Sequence, residues 1–170
     1  MLMSILSLLF IPSWRHYQQY RQADLAIQTL EQAIHAAQSF AILKQIPVSL
    51  CPSFDQHTCQ QAWRDSLILF TNSQGTDQPS LDTDIHEHVP LKLQQAHLYW
   101  RHFGNNHLLT FDQHGLLNHD NGIFYYCPIN TDPHVSRALV INVTGRTRLL
   151  TQRNAQGRLI GPDGKPILCP

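Results

Sequence analysis

The chain has 170 residues, which is enough for one domain with a hydrophobic core, or for a domain with an extension. Hydrophobic residues make up 42% of the sequence, and this excludes a wholly disordered chain. Only 14% of the residues are charged and the formal net charge is zero, which argues against a protein that binds nucleic acid over its whole surface.

The first eleven residues, MLMSILSLLFI, are strongly apolar. A transmembrane helix needs about 20 such residues, so this stretch has about half of the required length. It also lacks the basic region and the small-residue cleavage site of a secretory signal peptide. We interpret it as the latter part of a longer hydrophobic segment.

A long amphipathic helix is predicted to follow. Its apolar residues recur at alternating spacings of three and four, which places them on one stripe. The stripe consists of Tyr20, Ala23, Ile27, Leu30, Ile34, Ala37 and Ala41. The residues between them predict a wettable face that contains Gln18, Gln22, Asp24, Gln28, Glu31, Gln32 and Gln38. The helix should end before Pro47, because proline disfavours helical backbone in the preceding residue.

Beyond the helix, the sequence predicts many short strands separated by turn residues. The predicted strands are 48–51 with alternating faces, 66–70, 91–93, 97–102, 107–111, 123–127, 138–143 and 146–150. Residues 104–106 are predicted to close a hairpin, and further turns are expected at 120–122 and 144–145. Turns about every ten residues are typical of an antiparallel sandwich or of paired small sheets. The expected fold class is therefore α+β, with one long helix packed on an antiparallel all-β head.

Charge is unevenly distributed along the chain. After Asp132, six basic residues face the single acid Asp163, which gives this end a net charge of +5. The six are Arg137, Arg146, Arg148, Arg153, Arg158 and Lys165. The middle of the chain is acidic by contrast. The asymmetry predicts an anionic partner at the C-terminal end, with a merely solvated tail as the alternative. Glycine and proline recur in residues 152–170, which are expected to form an extended tail.

Four cysteines suit a chain that leaves the reducing cytosol. They allow three pairings, and pairing near neighbours first favours Cys51 with Cys59 and Cys127 with Cys169. In that arrangement, the second disulfide would tie the tail back to a strand. A zinc site is the alternative, although the sequence contains no CxxC pair.

Signatures of catalysis and metal binding are missing from the sequence. GxSxG, HExxH and phosphate-binding glycine-rich motifs are absent. The eleven histidines include His86, His88, His97, His102 and His107, but no cysteine or carboxylate stands at ligand spacing beside them. We interpret them as surface residues. The sequence therefore predicts neither an enzyme, nor a metal site, nor another cofactor.

The tetrad Gly145-Arg146-Thr147-Arg148 is the strongest candidate for binding. In an extended segment, the two-residue period points both guanidinium groups to one face, and the glycine lets the backbone turn and approach closely. Two planar guanidinium groups on one face can bind successive phosphates. Further basic contacts would come from Arg153, Arg158 and Lys165. The alternative is an ion pair between one of these arginines and an acid of the head.

Several segments resemble the GspH/FimT family of type IV pilin-like proteins. Residues 33–53, AIHAAQSFAILKQIPVSLCPS, are similar to the family stretch ALNLARSEAIKRNQPVTLCPS, and Cys59, Trp63 and SLILF follow. NGIFYYC (121–127) and ALVINVTGRTR (138–148) are similar to the family's late strands and GRxR signature. The arginine and glutamate of ARSEA are replaced by Gln38 and Phe40. The family's GFTLIE cleavage motif is not found, and residues 1–14 resemble only the latter part of its hydrophobic helix.

The resemblance implies three parts. Residues 1–46 would form the pilin-like helix, with 1–12 as the remnant of a membrane anchor. Residues 47–150 would form the β-rich head and residues 151–170 an extended basic tail. Such a chain would be anchored in the inner membrane with its head in the periplasm. It would assemble with other pilins or pseudopilins into an extracellular pilus or a periplasmic pseudopilus.

Two functional hypotheses follow from this resemblance. In its FimT branch, the GRxR arginines and nearby basic residues bind incoming DNA during natural transformation. A FimT-like minor pilin would therefore bind double-stranded DNA without sequence preference through Arg146 and Arg148. The second hypothesis is a GspH-like minor pseudopilin of a type II secretion system, in which these arginines would contact proteins or support the fold.

Overall fold

The computed structural model describes residues 2–93, 95–102, 107–118, 121–130 and 132–169, with side chains from Trp14 onward except that of Arg15. A single long helix, α1 (Leu2–Lys44), precedes the strands of this described part. The strands are β1 (Val48–Ser53), β2 (Ser66–Thr71), β3 (Ile85–Pro90), β4 (Ala96–His102), β5 (Leu109–Phe111), β6 (Gly122–Pro128), β7 (Arg137–Ile141) and β8 (Thr147–Leu149).

The strands form two antiparallel four-stranded sheets. The first sheet has the order β3-β2-β1-β5 and the second has the order β4-β6-β7-β8. The helix contacts β1 and β5 of the first sheet and β7 of the second, so it lies across both. The predicted α+β class, with a long helix on an all-β head of two small sheets, is confirmed.

The apolar stripe of α1 forms the centre of the core. From Ala23 to Ala41, every predicted stripe residue is buried, while Tyr20 at the start of the stripe is half-buried. The stripe packs against the inner faces of both sheets, including Leu50, Phe111 and Phe124. Among the described residues, no helix contains a stretch that is both long and apolar enough to cross a membrane.

The alternating faces predicted for the first strand are wrong, because β1 is buried on both sides. One face of β1, with Val48 and Leu50, joins the core under α1. The other face contributes Cys51 to a second apolar cluster with Ile68 and Phe70. The polar side chain of Ser49 is also enclosed, and its Oγ lies 2.7 Å from Thr110 Oγ1. Central position in the first sheet, rather than sequence pattern, explains this burial.

The turn expected at 104–106 lies outside the described part, but the pairing of the strands that it was predicted to join is wrong. The strands on either side of it, β4 and β5, belong to different sheets. The predicted strand 91–93 is not present. The strand in this region is β3, which ends at Pro90 and forms one edge of the first sheet. Local turn residues predicted that these two strands pair with each other, but β4 pairs with β6 and β5 pairs with β1. By contrast, the predicted turn at 144–145 does join two paired strands, β7 and β8.

Residues 151–169 do not run as an extended tail. The chain makes two tight turns, in which Gly157 N–H donates to Asn154 O and Gly164 N–H donates to Gly161 O. Leu159 is buried in an apolar cluster on the outer face of the second sheet, whose other buried members are Ile123, Ala138 and Leu150. The segment folds back because this apolar face would otherwise be exposed to water.

Both disulfides expected from near-neighbour pairing are present. Cys51 is joined to Cys59, and Cys127 of β6 is joined to Cys169. The second bond closes a sequence separation of 42 residues and holds the end of the chain against the second sheet. Such a loop closure stabilises the folded state mainly by restricting the unfolded chain.

Gln38 of α1 fixes two turns of the head. Its Nε2 donates to Gly115 O at 2.8 Å and to Thr144 O at 2.9 Å. The next residue after Thr144, Gly145, has a left-handed φ of +74°, and a Cβ there would collide with the Gln38 amide and lie 2.9 Å from Phe111 Cε1. The glycine is therefore required by the close approach of the β7–β8 turn to the helix.

We expect Gly145→Ala to destabilise the fold more than Gly164→Ala. Both glycines have left-handed backbones, at φ +74° and +72°, but a Cβ on Gly164 would meet no atom within 4 Å. Both variants should lose about 1–2 kcal/mol from backbone strain. Gly145→Ala should lose about 1–3 kcal/mol more from overpacking against Gln38. Denaturant unfolding of the two variants measures the difference, and equal losses would contradict the proposed contact.

Candidate nucleic-acid interface

Arg146 and Arg148 project from the β7–β8 turn in the arrangement expected from the two-residue period. Asn142 closes the turn, since its Oδ1 accepts from Arg146 N–H at 3.0 Å and its own N–H donates to Arg146 O at 3.2 Å. Thr147, between the arginines, points to the helix instead and donates from Oγ1 to Glu31 Oε1 at 2.6 Å. Both arginine side chains are exposed. Thr147 therefore anchors the segment while its neighbours face solvent.

The arginine that pairs with an acid is a different one. Arg137 Nε donates to Asp24 Oδ1 at 2.6 Å, and the Arg137 guanidinium lies 5.6 Å from the centre of the Tyr20 ring. Within the described part of the chain, no ion pair involves Arg146 or Arg148. The ion pair considered as an alternative use for the tetrad is thus not formed there. Both guanidinium groups keep their charge available for a ligand.

The Arg153 guanidinium group is bound by backbone carbonyl groups. Its Nη1 donates to Pro133 O at 2.6 Å and to Gly157 O at 2.7 Å, while Nη2 donates to Ser136 O at 2.8 Å. Burial, and then the nearby positive charge of Arg137, lower the pKa of Arg153 below its usual value. Because its donors bind three backbone carbonyl groups, the Arg153 guanidinium is not free for the phosphate contact expected of it.

Arg158 and Lys165 sit on the two turns of the C-terminal segment, and both side chains are exposed. Their backbone N–H groups donate to Asn154 Oδ1 and Asp163 Oδ1, which stabilises each turn without using the basic side chain. Arg148 lines a cleft of 690 Å³ beside the second turn, between residues 150–154 and 160–164. Among the exposed side chains after Asp132, the four basic residues Arg146, Arg148, Arg158 and Lys165 and the acid Asp163 have a summed charge of +3.

Gly145 also differs from its expected role. It is buried, and the side chains nearest to it are those of Gln38 and Phe111. It shapes the turn that carries Arg146 and is not itself placed to contact a phosphate.

Three helix residues that position this interface were not recognised in the sequence. Asp24, Glu31 and Gln38 contact Arg137, Thr147 and the Thr144 carbonyl group, respectively. Each directly follows a stripe residue, and they are spaced seven residues apart. A seven-residue spacing returns to almost the same side of an α-helix. This polar row, assigned above to a wettable face, was the signal that could have identified them.

The histidines do not converge into a metal site in the described part of the chain, where no group of three or more metal-binding side chains is found. Some of them have local structural contacts. His86 stacks on Phe40 of α1 with ring centroids 4.4 Å apart, and its Nε2 lies 2.6 Å from Thr71 Oγ1. Burial in this contact lowers the pKa of His86 below its usual value.

Comparison with known proteins identifies a family and similar folds. Residues 26–145 match the family model described as "Type II transport protein GspH". The type IV minor pilin FimU of Pseudomonas aeruginosa PAO1 has a similar fold, with a TM-score of 0.61 and 17% identity over 84% of this chain and 96% of that chain. The minor pseudopilin EpsH of the Vibrio cholerae type 2 secretion system has a TM-score of 0.52 and 15% identity, over 76% and 96% of the two chains. No curated protein matches the sequence.

Substitution at Arg153 should affect stability far more than substitution at Arg158. Arg153→Met leaves the carbonyl oxygens of Pro133 and Gly157 without this donor, while Ser136 O keeps Arg137 Nη1, and the expected cost is about 1–3 kcal/mol. Arg158→Met removes the same charge from an exposed side chain and should change stability by less than about 0.5 kcal/mol. Thermal or denaturant unfolding gives both values. Equal effects would show that the carbonyl contacts of Arg153 do not stabilise the fold.

Proposed function

The chain belongs to the GspH/FimT family of type IV pilin-like proteins, and on that premise we propose that it is a minor type IV pilin whose head binds double-stranded DNA. The binding would take place without sequence preference and would serve DNA uptake in natural transformation. The observation that carries the proposal is the pair of exposed arginines, Arg146 and Arg148, on one face of the β7–β8 segment and without an acidic partner in the described residues.

Electrostatics is the physical basis of this binding. Each phosphate that an arginine or lysine neutralises releases condensed counterions, so affinity falls as salt concentration rises. Arg158 and Lys165 would add contacts at the same end of the chain. The interface presents short turns and a strand edge, not an element shaped to enter a groove and contact the bases. Phosphate contacts carry no sequence information, and selectivity is expected to be low.

Assembly into a filament would depend on α1. Trp14, Tyr17 and Leu25 expose 62%, 58% and 52% of their surface, although they are large apolar side chains on one helix. Exposed apolar surface of this kind favours contact with a membrane or with other subunits. In the proposed protein, the helix is held in the inner membrane and then among other pilin helices, with the head displayed in the periplasm and finally outside the cell.

The second candidate function is a minor pseudopilin of a type II secretion system. It is favoured by the description of the matching family model, which names a type II transport protein. The neutral charge of the whole chain fits this candidate as well, since a protein partner does not require a basic head. In that case Arg146 and Arg148 would contact neighbouring pseudopilins or secreted proteins.

DNA binding predicts a specific salt dependence. For the full chain and a labelled DNA duplex, affinity should fall linearly with salt on logarithmic axes between about 50 and 200 mM. Replacing Arg146 and Arg148 by alanine should make the slope shallower by about 1.8, because each lost phosphate contact contributes about 0.9. Fluorescence anisotropy across the salt series measures both slopes.

The matched control is the double variant Arg21→Ala/Arg64→Ala, which removes two exposed arginines from other parts of the chain. It lowers the net charge equally and should leave the slope close to that of the original protein. An unchanged slope in the Arg146/Arg148 variant, or an equal change in the control, would contradict the proposed site. No binding even at low salt would favour the pseudopilin.

A further inference from the structure

Among the described strands, β4 is an edge strand of the second sheet and pairs with β6 alone. Ile129 N–H donates to Gln95 O at 2.9 Å, so these two residues form a hydrogen-bonded pair of the antiparallel ladder. Hydrogen-bonded and non-hydrogen-bonded pairs then alternate along β4 and β6. By the two-residue period, the residues of β4 that bond to β6 are His97, Tyr99 and Arg101. Leu98 and Trp100 turn their backbone N–H and C=O groups away from β6. No backbone partner for either residue is found in the described part of the chain.

A groove of 540 Å³ runs beside this open edge. Residues 61–64 line it together with side chains of β4. Trp63 and Trp100 both line the groove and pack on Phe124, with ring centroids 4.6 and 4.0 Å from it. The volume lies within the range of roughly 300–1,000 Å³ that is typical of ligand-binding pockets. The groove is thus preformed, since its tryptophans are held by the core.

Two indole N–H groups in the groove wall have no acceptor among the described residues. Trp63 is only 3% exposed, and in that part of the chain neither its Nε1 nor that of Trp100 has a hydrogen-bond partner. An indole N–H can only donate, and both nitrogens are buried in the wall. A buried donor left without an acceptor costs free energy and is rare in native proteins. This observation is independent of the open strand edge.

The charge of the groove favours an acidic occupant. Arg64 lines it with a permanent positive charge, and no described lining residue is acidic. The strand edge also narrows the class of occupant, because it offers donors and acceptors in alternation along its length. A polypeptide in extended conformation offers the complementary alternation. A nucleic-acid backbone offers phosphate acceptors and cannot satisfy the carbonyl groups of Leu98 and Trp100.

We propose that the edge of β4 binds an extended, acidic segment of a partner polypeptide, which adds a fifth strand to the second sheet. Main-chain hydrogen bonds to Leu98 and Trp100 provide affinity, as in other complexes formed by strand addition. A carboxylate of the segment pairs with Arg64, which lines the groove. The site lies on the opposite edge of the sheet from β8, and it does not depend on DNA binding.

The test uses the ¹⁵N-labelled full chain and the capped peptide Ac-EVEVEVE-amide. Binding should slow hydrogen exchange at the amides of Leu98 and Trp100, which are open in the free protein. The amides of His97, Tyr99 and Arg101 should be protected with or without peptide. The indole signals of Trp63 and Trp100 should shift, while that of Trp14 on α1 should not.

Three further probes separate strand addition from other modes of binding. The peptide with an N-methyl group on every residue should not bind, because neither of its edges can donate to the ladder. Ac-KVKVKVK-amide should bind more weakly than the acidic peptide. An oligothymidine strand should leave the Leu98 and Trp100 amides unprotected. Binding of the N-methylated peptide or of the DNA in this groove would overturn the proposal.

Arg64→Glu should weaken the acidic peptide about threefold or more, since it reverses the charge at the rim. Arg21→Glu changes the net charge equally at an exposed position of α1, outside the groove lining, and should leave peptide affinity unchanged. Equal effects of the two variants would overturn the assignment of Arg64. Failure of Ac-EVEVEVE-amide to bind at millimolar concentration, or binding without protection of Leu98 and Trp100, would overturn strand addition itself.

Discussion

The polar row of α1, formed by Asp24, Glu31 and Gln38, determines how the second sheet is placed. The apolar stripe supplies most of the driving force for packing, but hydrophobic burial has no direction and would tolerate small shifts of the sheet along the helix. Hydrogen bonds require donors and acceptors at fixed distances. Three of them, spread over 14 residues of helix, set the register between α1 and the second sheet.

The same contacts decide what the basic residues can do. Arg137 is held by Asp24, and Arg153 is held by three carbonyl groups under the C-terminal segment. Two of the six basic residues are thereby used to build the support. Arg146 and Arg148 remain outside because Thr147, between them, is bound to Glu31. The backbone that carries Arg146 and Arg148 is therefore fixed to α1 before any ligand binds. A fixed backbone lowers the entropic cost of ordering the two side chains on a ligand.

The proposed functions use separate surfaces of one small head. The basic turn lies at the β8 edge of the second sheet, and the groove lies at its β4 edge. An open edge strand is a liability in a soluble protein, because it can pair with other chains without control. A defined acidic strand that pairs with β4 would occupy the open edge and prevent uncontrolled pairing. A filament subunit that contacts neighbours through α1 could therefore use both edges without interference between them.

The sequence by itself determined the elements whose signal is local. The apolar stripe predicted α1, the turn formers predicted the β7–β8 hairpin, and near-neighbour spacing favoured the observed disulfides. The two-residue period also placed Arg146 and Arg148 on one face. These features depend on residues that are close in the chain, so their spacing contains the necessary information.

Only the tertiary structure decided which sheet each strand joins and which basic side chains stay free. Strands β4 and β5 follow one another in sequence but enter different sheets, because each is paired by a distant partner, β6 and β1. Nothing in the local sequence distinguishes the roles of Arg153 and Arg158. Only Arg153 donates to backbone carbonyl groups, and these belong to residues 4 to 20 positions away in the chain. Gly145 was predicted to let the backbone approach a ligand. Instead it lets the β7–β8 turn approach α1, where the Gln38 side chain, 107 residues earlier in the chain, lies against it. Such long-range partners are set by packing, which no local pattern encodes.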